Sequence, residues 1–221
     1  ITMIRAKALD QRSLGDAVDC IHEMVWLGTA SKIGAPMRVT ETDLPGVLII
    51  APTVHGDPRG FFVETWHRDR YAEHGIDLAF VQDNHSKSGK GILRGLHAQV
   101  GAHAQGKLIR VISGAIYDVA VDIRTGSPTF GRHAGIELTS DNHHQLWVPP
   151  GFAHGFCVLS DAAEVEYKCT APYDPASELS IKWDDPSIGI PWPITDPILS
   201  EKDQGAMLLA DSHERLPAFD G

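Results

Sequence analysis

The sequence predicts an all-β fold, an antiparallel sandwich or barrel with a few short helices. Three observations carry this. Residues 115–124 alternate: Tyr117, Val119, Val121 and Ile123 fall on one face, and Asp118, Ala120, Asp122 and Arg124 on the other. Short strand-like runs of this kind succeed one another from Gly46 onward. Turn signals separate them, at Gly56-Asp-Pro58, Ser88-Gly89, Ser113-Gly114, Gly126-Ser-Pro128 and Pro149-Pro150-Gly151.

In chain order, residues 1–36 differ from the rest of the chain. Ser13 and Asp16 suit a capping box, and Leu14, Ala17, Val18, Ile21 and Val25 recur at helical spacing. A helix is expected there, in an N-terminal extension, a leader or an expression remnant, with Met37 as the natural start of a single functional domain over 37–221. Strands are expected over 47–54, 61–67, 79–86, 91–98, 107–112, 115–124, 132–138, 145–148, 154–159 and 164–170. A short helix is expected over 69–74. Beyond about residue 184 the chain is Pro-rich and irregular, with a short helix expected within 200–210. A small barrel of this type can hold a ligand between its sheets. One face of each strand would then supply core and the other a polar cavity, with Asp118 and Asp122 on the cavity side.

Composition narrows the function. The chain has 221 residues, 43% hydrophobic and 22% charged, as an ordinary globular domain does. No apolar run approaches the roughly 20 residues of a membrane span, and the start shows no basic-then-apolar secretory pattern. The net charge of −10 argues against non-specific nucleic-acid binding. It leaves room for a small anion held by a local Arg/Lys cluster. Cys20, Cys157 and Cys169 show no CxxC spacing and read as reduced thiols of a cytoplasmic protein.

Leu93-Arg94-Gly95-Leu96-His97, with Gly106-Lys107 shortly after, brings a histidine, a lysine and an arginine into strand-like sequence. Histidine can take a proton near neutral pH, lysine can hold an oxyanion, and arginine can hold a phosphate. The set suits proton abstraction beside a carbonyl on a phosphorylated substrate. A polar strand edge is the competing reading. Ala153-His154-Gly155-Phe156 supplies a second histidine motif at a strand mouth. A metal site of cupin type would want two histidines at HxH spacing with a glutamate shortly after; His97-Ala98-Gln99 has neither. Tyr167 and Tyr173 could donate a proton or stack on a base, or simply pack. Asp203 could orient a histidine, or sit in solvent.

Twelve segments, taken in order, resemble those of the dTDP-4-dehydrorhamnose 3,5-epimerases. The first six are Asp57-Pro-Arg-Gly-Phe-Phe-Val-Glu64, Phe80-Val-Gln-Asp-Asn-His-Ser86, Leu93-Arg-Gly-Leu-His97, Ala104-Gln-Gly-Lys107, Asp118-Val-Ala-Val-Asp122 and Gly126-Ser-Pro-Thr-Phe-Gly131. The others are Gln145-Leu-Trp-Val-Pro149, Ala153-His-Gly-Phe156, Tyr167-Lys168, Tyr173, Trp183-Asp-Asp-Pro186 and Leu199-Ser-Glu-Lys-Asp203. Each is weak alone; in order they carry a resemblance that extends over about residues 40–207.

The resemblance implies a cupin-like jelly roll, a homodimer, and an isomerase of dTDP-L-rhamnose biosynthesis working without metal or other cofactor on a dTDP-linked 4-keto-6-deoxy sugar. It implies His97 as general base paired with Asp203, Tyr167 as general acid on the opposite face of the sugar, and Lys107, with Asp118 nearby, as enolate stabiliser. It implies that Arg59, Glu64, Gln82, Asn84, Arg94, Lys107, His154, Glu178 and Lys202 bind the nucleotide sugar and that Tyr173 stacks on the base. Ala98 stands where relatives carry a larger aromatic, and Gly101-Ala102 replaces a proline-rich loop. Both departures are expected to bear on pocket shape, which keeps a 3-only or 5-only epimerase open. A metal-dependent cupin and a non-catalytic sugar-binding barrel are the remaining alternatives.

Overall fold

A computed structural model describes residues 37–219. The helix expected from Ser13 and the thiol of Cys20 lie outside them. Thirteen strands and two short α-helices make up the described chain. They are β1 (Arg38–Glu41), β2 (Leu48–Ala51), β3 (Val54–Asp57), β4 (Gly60–Val63), α1 (Arg68–Ala72), β5 (Gln82–Gly89), β6 (Leu93–Gln99), β7 (Lys107–Ser113) and β8 (Ala115–Asp122). Then come β9 (His133–Thr139), β10 (Gln145–Val148), β11 (Phe152–Val158), β12 (Ala162–Cys169), β13 (Glu178–Ser180) and α2 (Glu201–Gln204), before a 3-10 segment at Leu209–Arg215.

Two antiparallel sheets face each other. One has strand order β1-β2-β10-β7-β12-β5, the other β13-β6-β11-β8-β9, and β3-β4 form a separate hairpin. The crossovers between sheets make this a jelly roll rather than a meander. Ile109, Val111, Leu146 and Val165 of the first sheet meet Ile116, Ala120, Leu138, Phe152 and Phe156 of the second. Burying each large side chain of this set stabilises by about 1.5–3 kcal/mol. Both outer faces are covered too. Behind the second sheet, Val119, Val121 and Ala98 pack on Leu179, Ile181, Ile188 and Leu209. Behind the first, Leu48, Ile50, Leu108 and Trp147 pack on Tyr71 and Ile76.

The polar-face expectation for β8 is corrected here. Ile116 and Ala120, on the same face as Asp118, join the core between the sheets. Asp122 is not in a cavity. Its carboxylate takes Arg124 N at 3.0 Å, Ser127 Oγ at 2.6 Å and Thr129 Oγ1 at 2.6 Å, and so anchors the turn after β8. Ala98 packs into the cluster behind β6 and also borders the cavity between the sheets.

β6 and β11 approach closely. Gly95 has φ of +123°, and a Cβ there would stand 2.6 Å from Gly155 Cα. Only glycine meets both conditions. The pairing carries an irregularity between His154 and Phe156, and His97 comes to lie opposite His154. The glycine of Leu93-Arg-Gly-Leu-His97 thus permits the close pairing that delivers both histidines to one wall.

Candidate active site

A cavity of about 730 Å3 opens between the sheets. The second sheet supplies one wall, with Arg94 and His97 from β6 and His154 from β11. The first supplies the facing wall, with Gln82 and Asn84 from β5, Lys107 from β7 and Tyr167 from β12. The segment at 198–203 closes one side and carries Lys202 and Asp203. Tyr173 and Glu178 stand at the rim.

His97 Nε2 meets Asp203 Oδ1 at 2.5 Å. Burial alone would raise the Asp203 carboxyl. The His97 hydrogen bond and charge, with the Ser200 hydroxyl, hold it below its ordinary value. Ser200 caps α2: its Oγ donates to Asp203 Oδ2 at 2.8 Å and accepts from Asp203 N at 3.2 Å. The Asp203 carboxylate is thus held twice, once by the pocket histidine and once by its own helix cap.

Lys107 is buried, and burial pushes its ammonium below the usual range, against the pull of Cys169, Glu178 and Asp118. Its Nζ donates to His97 O at 3.4 Å, a long bond that leaves donor capacity free. Tyr167 is raised by burial, with the Arg94 charge opposing, so its phenol keeps its proton at neutral pH. Arg94 Nε donates to Ser88 Oγ at 2.9 Å, which steadies the guanidinium across the cleft between β6 and β5. His154 Nε2 lies 2.7 Å from the buried Asp118 Oδ1. That bond orients the His154 ring from behind the wall. At the rim, Glu178 takes Lys202 Nζ at 2.6 Å and Tyr173 Oη at 3.1 Å.

The fold therefore gathers His97, Lys107, Tyr167, Asp203, Gln82, Asn84, Arg94, His154, Tyr173, Glu178 and Lys202 around one cavity. Arg59 and Glu64 are not brought there by their own chain. Arg59 sits in the turn between β3 and β4, ion-paired to Asp57 with its side chain 89% exposed. Glu64 stands just after that hairpin and pairs with Arg70. Phe61 and Phe62, beside Arg59, are 63% and 69% exposed.

Sequence reasoning missed Gln99, Gln105 and Ser200, which also line the cavity. Gln99 is two residues beyond His97 on β6, so the period of a strand places it on the same face, while Gln105 lies in the segment just before β7. Ser200 stands three before Asp203, the spacing of a helix cap. Among the described residues no three His, Cys, Asp or Glu side chains are placed to share a metal ion. No helix among them is long and apolar enough to cross a membrane.

The profile of the dTDP-4-dehydrorhamnose 3,5-epimerase family matches residues 41–211. The dTDP-4-dehydrorhamnose 3,5-epimerase of Shigella flexneri is 52% identical over 177 residues, which are 80% of this chain and 98% of that one. That of Neisseria gonorrhoeae is 55% identical over 184 residues; they cover 83% of this chain and only 56% of the longer relative. The solved structure of dTDP-6-deoxy-D-glucose-3,5-epimerase from Legionella pneumophila, in complex with dTDP-4-keto-L-rhamnose, superposes with a TM-score of 0.81 at 49% identity. It covers 84% of this chain and 100% of that one. A jelly roll with these two walls and this ordered set of residues belongs to the dTDP-4-dehydrorhamnose 3,5-epimerase family.

Proposed function

We propose that the cavity inverts C3 and C5 of dTDP-4-dehydro-6-deoxy-D-glucose to give dTDP-4-dehydro-L-rhamnose, by acid–base chemistry through an enolate. The observation that carries this is the placement of the His97–Asp203 pair on one wall and Tyr167 on the facing wall. Inversion needs a proton removed from one face of a carbon and returned to the other. A base and an acid on opposite sheets meet that need. The 4-keto group acidifies both C3–H and C5–H, so one pair of groups serves both centres.

His97 takes the proton, and Asp203 stabilises the imidazolium that forms. A positioned base of this kind contributes roughly 100- to 10,000-fold. Lys107 donates to the oxygen that becomes the enolate. Burial works against its ammonium, so an oxyanion alongside favours the charged form and is stabilised by it. Losing one such donor typically costs on the order of 100-fold or more in rate. Tyr167 returns a proton from the far side. Arg94 and Lys202 supply positive charge for the diphosphate, which an acidic chain needs locally. Tyr173 offers its ring to the base.

The protein works as a homodimer in this reading. Arg59 and Glu64 belong to the binding set yet lie outside their own chain's cavity, on a hairpin with two exposed phenylalanines. A second copy can receive that hairpin, bury the rings and gain the charges.

Proton NMR in D2O tests the reaction. With dTDP-4-keto-6-deoxy-D-glucose, deuterium should enter C3 and C5 while the L-lyxo product accumulates. Tyr167→Phe should still exchange protons but lose most net inversion. Label at a single carbon would replace this reading with a 3-only or 5-only epimerase. Binding without exchange would leave a sugar-nucleotide binding module.

A further inference from the structure

Tyr173 lies between β12 and the 3-10 turn at Pro175–Ser177, outside both sheets. The backbone of its loop is nevertheless held by three glutamine side chains. Gln82 Oε1 accepts from Tyr173 N at 2.9 Å. Gln99 Oε1 accepts from Asp174 N at 2.9 Å. Gln105 Nε2 donates to Ala171 O at 2.6 Å. Gln99 and Gln105 are buried, at 6% and 7% exposure. Gln99 comes from the second sheet, Gln82 from the first, and Gln105 from the segment that leads into β7. Both ends of the loop are tied as well. Gly106 N donates to Thr170 Oγ1 at 2.7 Å, and Val100 N to Ser177 O at 2.9 Å. Buried polar side chains committed to loop backbone, in a cavity suited to a polar ligand, call for an explanation.

We propose that Gln99 and Gln105 are positioning residues for nucleotide recognition: they fix the loop backbone that carries Tyr173 and so set affinity for the nucleobase. The inference rests on Tyr173 being the stacking surface of the proposed function. A stacking ring contributes most when it stands ready. If the loop must be ordered at the moment of binding, that entropy cost is subtracted from affinity. The groups assigned to proton transfer sit on β6, β12 and α2, outside this loop. Nucleotide affinity should therefore change while turnover of bound substrate does not.

The backbone partners dictate which amide atom matters. Asp174 N–H needs an acceptor, and Ala171 carbonyl needs a donor. Gln99→Met and Gln105→Met keep the length of each side chain and remove only the amide, adding no charge beside a diphosphate.

The test is dTDP titration by calorimetry on the full chain, beside steady-state epimerisation. Tyr173→Ala is the reference, since removing a base-stacking aromatic costs on the order of tenfold or more in affinity. Gln99→Leu and Gln105→Met should each weaken dTDP about tenfold and raise KM in step, with kcat within about threefold. In a Tyr173→Ala background, Gln99→Leu should add less than about twofold, because the two act through one ring. Should Gln99→Leu not fold, Gln99→Met and Gln105→Met decide the matter. Lost kcat at unchanged dTDP affinity, a Gln99→Leu effect that adds in full to Tyr173→Ala, or wild-type dTDP affinity in both Met variants would each overturn the inference. So would Tyr173→Ala binding dTDP as wild type does, which leaves the epimerase reading standing. Wild-type protein that binds dTDP without turning over the sugar sinks the epimerase reading, while the affinities still judge the glutamines.

Discussion

At Asp203 two donors divide one carboxylate. His97 occupies Oδ1 and Ser200 occupies Oδ2. The Ser200 bond lowers the carboxyl's proton affinity and fixes its rotation toward the ring. Ser200→Ala should remove both effects. Hydrogen bonds to charged groups are worth about 1.5–3 kcal/mol, and Asp203 would become more basic and less well aimed. We expect kcat/KM to fall about three- to thirtyfold. Asp203 is depressed in the fold, so its stabilising contribution is present above its unfolded pKa and fades as pH falls through the folded one. Raising its folded pKa moves the acid limb of the rate profile to higher pH. An unchanged rate and an unmoved acid limb would deny Ser200 any part in holding Asp203. At this scale the chemistry is legible in the sequence because His97, Lys107, Tyr167 and Asp203 are chemically distinctive residues inside recognisable segments. Gln99 and Gln105 are not legible. A glutamine's role depends on which backbone group lies within its reach, and Gln105 reaches Ala171, 66 residues further on, while Gln99 reaches Asp174, 75 residues further on.

At the scale of elements, period and turn chemistry find β2 and β4 through β12, with bounds adrift by a few residues. β5 runs on to Gly89, past the expected end at Ser86, because Ala162↔Gly89 and Ala163↔Ser88 pairings extend the ladder into a sequence with little strand character. β13 has three residues, and its strand geometry comes from pairing with β6; no local pattern could announce it. β1 pairs only along the sheet edge. The turn after β8 shows the reverse case, a local signal whose purpose alternation obscures. Alternation assigns Asp122 to the cavity, yet it holds the chain reversal at Gly126-Ser-Pro128. Burial would raise its carboxyl, but Arg124, Ser127 and Thr129 bring it down to about 2. The shift from the ordinary value of 3.8 corresponds to about 2 kcal/mol, since one pKa unit is about 1.4 kcal/mol. That stability is fully present above about pH 4 and is lost as pH falls toward about 2. Asp122→Asn should therefore cost about 2 kcal/mol by urea unfolding at about pH 7, and the deficit should shrink by about pH 3. The folded variant should keep its rate, since Asp122 lies outside the cavity. An equal deficit at both pH values would assign the effect to packing rather than charge.

At the scale of the whole molecule, the two sheets set the proposed base and acid facing each other, but one chain does not complete the proposed binding set. Arg59 is held at the tip of the β3–β4 hairpin by its ion pair with Asp57, and an exposed pair of that kind adds little to stability. In the proposed dimer it would give way to a phosphate of the nucleotide. Phe61 and Phe62 beside it would each remove apolar surface from water on reaching a partner. A two-fold dimer makes the exchange reciprocal: each copy lends a hairpin and receives one. Complementation separates this arrangement from a hairpin that folds back on its own chain. Arg59→Ala and His97→Ala should each be nearly inactive alone. Mixed under conditions that allow subunit exchange, about half of randomly formed dimers carry one of each chain. In such a dimer the cavity with intact His97 receives an intact Arg59 from its partner, and the other cavity lacks both. Activity should recover to roughly a quarter of the wild-type value per site. A hairpin acting on its own chain's cavity gives no recovery at all, since every cavity then lacks one group or the other. Arg59→Ala with wild-type KM would remove Arg59 from the binding set and leave Glu64 and the exposed phenylalanines as the argument for the interface.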